Sequence, residues 1–269
     1  MNFNSRFAFI LAIFIFFIAL CAFRGRSSFS SLEGYKATMH FCVWAPTQAD
    51  ADEVAAQLNK FYKKILSELR FAAMAKKKPE VYVFGNYKEY VDNTSALGYN
   101  TTHTGGIAVP RTTKNPARVY FFKSERLLTV LRHELTHVIF HETVEGLNTR
   151  TRIPLWIDEG FAVYEEEGMR YDERARGAVN KNRAIPVSEL VGYTAYPTDR
   201  DKNTLFYAQS ASLVDFLINT YGASKFLAFT RKMARGGKDA SSALFSTYYP
   251  HIKDVSQLSE AWLNFLKSK

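Results

Sequence analysis

His133, Glu134 and His137 fall in the run His133-Glu134-Leu135-Thr136-His137, two imidazoles four residues apart with a carboxylate beside the first. On a helix, residues four apart sit one turn above each other, so both rings can reach a single tetrahedral zinc ion while Glu134 projects next to them. The chemistry such a triplet suits is hydrolysis. Zinc lowers the pKa of a bound water to roughly 7 in catalytic sites, and a neighbouring carboxylate can take the proton. Leu127, Leu128, Val130, Leu131, Leu135, Val138 and Ile139 make the surrounding stretch apolar nearly all round, which predicts a buried helix. Two imidazoles and a carboxylate are costly inside such a helix without a partner, and a metal ion partners both rings at once.

A catalytic zinc needs a third protein ligand and an open position. His141 lies one further turn along the same face, but a straight helix carries it about 6 Å past His137, too far to close the same tetrahedron. It reads as a partly exposed polar residue. The metzincin spacing is absent, because the position six residues after His137 is Thr143 and the glycine that would turn the chain is missing. The better candidate is Glu159, in Pro154-Leu155-Trp156-Ile157-Asp158-Glu159-Gly160-Phe161-Ala162-Val163-Tyr164. Pro154 suits the first turn of a new helix, and the stretch from His137 to Glu159 leaves room for one helix to end and a second to return beside it. A carboxylate amid Trp156, Ile157, Phe161 and Ala162 also wants a specific partner.

The two motifs together resemble the gluzincin metallopeptidases, most closely the peptidase MA-like domain proteins, whose pattern is H-E-x-x-H followed by W-x-x-E-G-x-A-x-Y. Trp156, Glu159, Gly160, Ala162 and Tyr164 fall in place. The similarity continues more weakly into Tyr207-Ala208-Gln209-Ser210-Ala211-Ser212-Leu213-Val214 and covers about residues 120–265, with strong motifs only between 133 and 164. The resemblance implies a thermolysin-like catalytic core holding one Zn2+ per chain through His133, His137 and Glu159. In such a core Glu134 acts as general base on a zinc-bound water, the substrate is a peptide or protein, and a tyrosine or histidine downstream of the third ligand stabilises the oxyanion. Tyr207 is the first candidate for that donor, with Tyr193 and Tyr196 as rivals. One position departs from the pattern: thermolysin-type members carry an Asp four residues after the ligand Glu to orient a histidine, and here that position is Val163. Asp158 and Glu166 are then the candidates for the orienting role.

The elements that must carry these residues follow from periodicity. Strands are predicted over 37–44, 81–84, 105–109 and 118–122, a helix over 50–71 and a helical turn over 86–91; after the zinc helices come helices over 205–221, 224–235 and 254–266. This order predicts an α+β fold, a small mixed or antiparallel sheet packed on the zinc-binding helix and followed by a mainly helical C-terminal half. One peptidase domain is expected over 36–269, with the sheet and zinc helices in 36–168 and the helical half in 169–269. Residues 105–109 form either an edge strand able to pair with substrate backbone or only a turn marked by its glycines. Residues 170–203 are polar and weakly periodic, and a stretch of that length could wall a cleft.

Residues 1–28 read as a targeting segment. Arg6 precedes an unbroken apolar stretch from Phe7 to Phe23 that ends at Arg24 and Arg26, a pattern that fits a cleaved signal peptide or a retained membrane anchor; either way the catalytic part is exported. Residues 27–35 read as a short linker. The net charge of +9 comes from scattered basic residues, with no aromatic and basic pattern of a nucleic-acid module, and 47% hydrophobic content is ample for a core. Only Cys42 would remain after processing, so no internal disulfide is expected. It reads as a small buried hydrophobe, or else as a nucleophile paired with His40. A zinc peptidase is the leading function. The alternative is an exported non-catalytic zinc domain that binds a peptide or envelope partner, in which Glu134 would have no use.

Overall fold

Short β-branched and aromatic runs form five strands in a mixed sheet: β1 (Gly34–Ala37), β2 (Cys42–Ala45), β3 (Glu80–Phe84), β4 (Gly106–Val109) and β5 (Arg118–Phe122), in the order β1-β2-β3-β5-β4. The inner pairs β2/β3 and β3/β5 are parallel; β1 and β4 close the two edges antiparallel. This is a computed structural model that describes residues 29–68, 77–145, 153–166, 170–236 and 240–269. The targeting segment 1–28 and the predicted helix end at 69–71 lie outside the described residues, and among the described residues no helix is long and apolar enough to cross a membrane. The chain divides into two units, one of Met1–Phe61 and Met74–Leu131, the other of Tyr62–Ala73 and Arg132–Lys269.

In the first unit the alternation of strand side chains sets up two faces. Trp44, Tyr82 and Tyr120 stand in register across β2, β3 and β5, and their rings stack at 4.9 and 5.1 Å. Val43, Val81, Val83, Val119 and Phe121 point the other way and are buried. Residues 29–32, expected as linker, instead cover the aromatic face: Phe29 meets Tyr82 at 5.1 Å and Phe84 at 5.3 Å, and Leu32 is buried in the same cluster. The single strand expected over 37–44 is a hairpin. Thr38 Oγ1 accepts hydrogen bonds from the backbone N–H of His40 (3.1 Å) and Phe41 (2.9 Å), a local side-chain turn that competes with continued strand. Cys42 is buried on β2, with the Tyr35 hydroxyl 3.7 Å from its sulfur. Helix α1 (Gln48–Glu68) begins against β1, where Gly34 comes so close to Thr47 that a Cβ would lie 2.0 Å from its carbonyl oxygen. Helix α2 (Tyr87–Ala96) outruns the turn expected at 86–91 because Asn86 caps it, accepting from the Glu89 N–H. The strand expected at 105–109 is β4, an edge strand.

The second unit is helical. Helix α3 (Leu127–Glu145) enters it at Arg132, followed by α4 (Leu155–Glu165), α5 (Tyr171–Asn180), α6 (Val187–Leu190), α7 (Arg200–Tyr221), α8 (Ala223–Gly236), α9 (Ala240–Tyr248) and α10 (Val255–Ser268). Helix α7 is its centre, with every residue from Ala208 to Leu217 buried and α4, α5, α8 and α10 packed on it. Its small residues Ser210 and Ala211 let α4 approach closely. A Cβ on Gly160 would lie 2.6 Å from the Ser210 carbonyl oxygen and 2.9 Å from Val214 Cγ2. Phe140 of α3 meets Phe161 of α4 at 4.8 Å and stacks on Phe226 of α8 at 6.1 Å. The segment 170–203 is more ordered than its composition suggests. It contains α5 and α6, and the buried Gln209 amide donates to the Ile185 carbonyl (2.9 Å) and accepts from its N–H (2.8 Å), pairing that segment to α7 as a strand would. Helix α9, in the weakly periodic Ala240-Ser-Ser-Ala-Leu-Phe-Ser-Thr-Tyr248, has no counterpart among the elements expected from sequence.

Arg132 and Glu165 form a buried pair between α3 and α4, Nη2 to Oε2 3.2 Å. Burial and the neighbouring Glu68 push the Glu165 carboxyl up to about 8, against the pull of Arg132. Its folded value lies above the ordinary 4.5, so the folded state holds the proton more tightly. That stabilisation is complete below the ordinary carboxyl range and is lost as pH rises through the folded value. Glu165→Gln therefore flattens the fall in unfolding free energy between about pH 5 and about pH 8, measured by urea denaturation of metal-free protein; parallel wild-type and variant curves would refute the assignment. Gly160→Ala forces α4 off α7 and costs about 1–3 kcal/mol in the same measurement. A variant as stable as wild type would show that the two helices part without cost.

Candidate metal centre

Three donor atoms from α3 and α4 surround one point. His133 Nε2 and His137 Nε2 are 3.2 Å apart, and Glu159 Oε2 lies 3.4 Å from the first and 3.7 Å from the second. A tetrahedral ion bonded at about 2.0–2.1 Å has ligand-to-ligand edges of about 3.3–3.4 Å, so the three spacings match that shape without rearrangement of the helices. The i,i+4 step on α3 brings the two rings together, centroids 4.8 Å apart and nearly perpendicular. The close approach at Gly160 seats Glu159, 5% exposed, opposite them.

Each imidazole is held from behind. His133 Nδ1 donates to Glu166 Oε1 (2.7 Å) and His137 Nδ1 to Asp158 Oδ1 (2.8 Å), which turns both Nε2 atoms toward the common point. The structure thus brings both orienting candidates onto the histidines. Val163, where thermolysin-type members carry Asp, is buried. Glu166 stands about one turn further on, where α4 ends and the backbone turns extended (φ −68°, ψ 126°), and its side chain reaches His133 Nδ1.

The charges suit a cation. Burial alone would lower the His133 pKa, yet hydrogen bonds to Glu159 and Glu166 and the charge of Glu134 raise it well above 6.5. For His137 burial again lowers it, and Asp158 and Glu159 more than compensate. Burial would raise Glu159 and Asp158, but His137 foremost, with His133 at Glu159 and His141 at Asp158, drives both below the usual carboxylate range. Both acids owe their lowered values to the neighbouring imidazoles. A divalent ion bound by Nε2, Nε2 and Oε2 would supply that charge directly, and two nitrogens with one oxygen are donors that zinc accepts.

Glu134 is 9% exposed, and its charge acts on both His133 and Tyr207. Tyr207 stacks on Tyr196 at 6.0 Å, and burial with the charges of Glu159 and Glu134 keeps its phenol protonated. The Tyr196 hydroxyl donates a short hydrogen bond to Glu159 Oε1, the oxygen not facing the histidines. Tyr193 is not brought in: its hydroxyl donates to Glu189 at 2.5 Å, on the surface. His141, expected as a partly exposed polar residue, has its Nε2 3.0 Å from Asp158 Oδ2. The spacing argument missed this contact because it asked only whether His141 could reach the same ion; Asp158, one residue before Glu159, was the available signal.

A comparison with curated proteins gives no match. Among protein families, the model of the peptidase MA superfamily matches residues 65–268. That match runs through α3, α4 and α7, from which the paired histidines, Glu159 and Tyr207 project, and it takes in most of the 269 residues: the chain belongs to the peptidase MA superfamily.

Proposed function

We propose that this metallopeptidase-like domain is an active zinc peptidase, exported and either anchored by residues 7–23 or released after cleavage of that segment. The observation that carries the reading is the three-atom set His133 Nε2, His137 Nε2 and Glu159 Oε2 at tetrahedral edge lengths, each imidazole backed by a carboxylate. Zinc held there would supply Lewis acidity toward a peptide carbonyl and a water acidified toward neutrality. Glu134, on α3 between the two histidines, takes the proton from the attacking water and returns it to the leaving amine. Tyr207, kept protonated by its acidic surroundings, donates to the developing oxyanion. Tyr196 has its hydroxyl engaged by Glu159 and serves that ligand. The substrate is a peptide or protein.

Metal content comes first, since it needs no knowledge of the substrate. One zinc per chain is expected in wild type, with affinity weakened at least about tenfold in Glu159→Gln. A folded wild-type protein that takes up no zinc would sink the reading and leave an exported binding domain. With a metal-loaded protein, cleavage of a mixed peptide library is expected to fall by about 10²–10⁴ in Glu134→Gln and by about 10²–10³ in Tyr207→Phe, both with zinc content unchanged. Retained cleavage in Glu134→Gln would exclude it as the base, and retained cleavage in Tyr207→Phe would reassign the oxyanion donor.

A further inference from the structure

We propose that His141 is a positioning residue for the metal centre, acting through Asp158 on His137 without touching the ion; this rests on the reading of His133, His137 and Glu159 as zinc ligands. Asp158 spends one carboxylate oxygen on each of two imidazoles: Oδ1 accepts from His137 Nδ1 at 2.8 Å and Oδ2 lies 3.0 Å from His141 Nε2. The Asp χ2 torsion is soft, so a single hydrogen bond leaves the carboxylate plane free to swing. A second ring on the opposite oxygen fixes that plane, and with it the direction in which His137 presents Nε2.

The arrangement repeats along the helix pair. Helix α3 carries a histidine at every fourth position, 133, 137 and 141, and α4 answers with consecutive acids. Glu159 sits against His133 and His137, and Asp158 against His137 and His141. His137 is common to both clasps. A slip of α4 along α3 must therefore break both at once, which fixes the register that brings Glu159 Oε2 to the ligand position.

The donor atoms of His137, His141 and Asp158 lie within 4.8 Å of one another, close enough for a second ion. Ligation there competes with the first site, however. His137 would have to give up the Nδ1–H that donates to Asp158 while its Nε2 serves the first ion. With that proton kept, the three groups form a hydrogen-bonded brace.

The test is zinc affinity, read by competition with a chromophoric chelator on the full chain, together with the thermal midpoint of the metal-free protein. His141→Ala takes from Asp158 Oδ2 its hydrogen-bond partner, and Asp158, with its side chain 20% exposed, can then turn to water. The expected result is zinc binding weakened about tenfold. His141→Gln, whose amide N–H₂ reaches a similar position and donates to the same oxygen, is expected to recover most of that affinity. Equal zinc affinity in wild type and His141→Ala would overturn the proposal. So would a His141→Gln variant as weak as His141→Ala with the same lowered apo midpoint, the mark of a merely structural role. Two zinc ions per wild-type chain, the second lost in His141→Ala, would make His141 a ligand and also overturn it. A wild type that binds no zinc overturns the ligand reading itself and takes this inference with it, whereas a failure confined to the His141 variants leaves the metal centre standing.

Discussion

Glu134, Asp158, Glu159 and Glu166 close around His133 and His137 on two packed helices, and the rest of the second unit follows from the need to keep those charges compensated. Like charges in a poorly solvated site cannot all persist without positive charge among them. The imidazoles supply it from the rear, through Nδ1 to Glu166 and Asp158, and they turn Nε2 toward Glu159 at the front. An ion bound there would replace protons at the front while the rear hydrogen bonds survive, so the charged assembly would not need to rearrange to accept it. This is preorganisation in the physical sense: the cost of assembling the acids is met in folding and is not charged again on binding.

The helices that deliver these groups are themselves positioned by contacts that carry no chemistry. Gly160 and the Ser210 backbone let α4 lie against α7 at a separation that any larger residue would widen, and the Phe140, Phe161 and Phe226 rings fill the space between α3, α4 and α8. Arg132 and Glu165, one residue before His133 and Glu166, bridge the same two helices through a buried hydrogen bond from the guanidinium to the carboxyl group. Removing either partner leaves a buried polar group without this bond, so the bridge defends the relative position of its neighbours even where its net contribution to stability is small.

Legibility in the sequence followed the range of the interactions. The His133 to His137 spacing and the Trp156 to Tyr164 pattern are local and periodic, and they brought the α3 and α4 groups within view because a helix converts spacing into direction. Asp158 and Glu166 came into view as orienting acids because Val163 stands where the pattern has an Asp. What escaped depended on contacts distant in sequence or on local turn chemistry. Gln209 orders Ile185 across 24 residues. Thr38 breaks a continuous strand pattern by bonding its own neighbours. Phe29 and Leu32 look like spacer because nothing adjacent in the chain pairs with them, yet the face they cover is assembled from β2, β3 and β5. His141 was set aside on a distance argument that was sound for ligation and silent on second-order contacts.

The tyrosines divide along the same lines. Of the three phenols at 193, 196 and 207, the resemblance puts Tyr207 first, and the geometry separates all three. Tyr193 turns outward to Glu189. Tyr196, 48% exposed, commits its one hydroxyl proton to Glu159 Oε1, and a donor already engaged by a carboxylate is poorly placed to meet a second anion. Tyr196 thereby fixes which oxygen of Glu159 faces the histidines, as Glu166 and Asp158 fix which nitrogen each ring presents. Every proposed ligand then has a partner that determines the atom it offers. Tyr207, half-buried under the Tyr196 ring and within the fields of Glu134 and Glu159, keeps its proton in that surrounding. In the proposed peptidase that leaves Tyr207 as the protonated phenol offered to negative charge developing on a substrate oxygen.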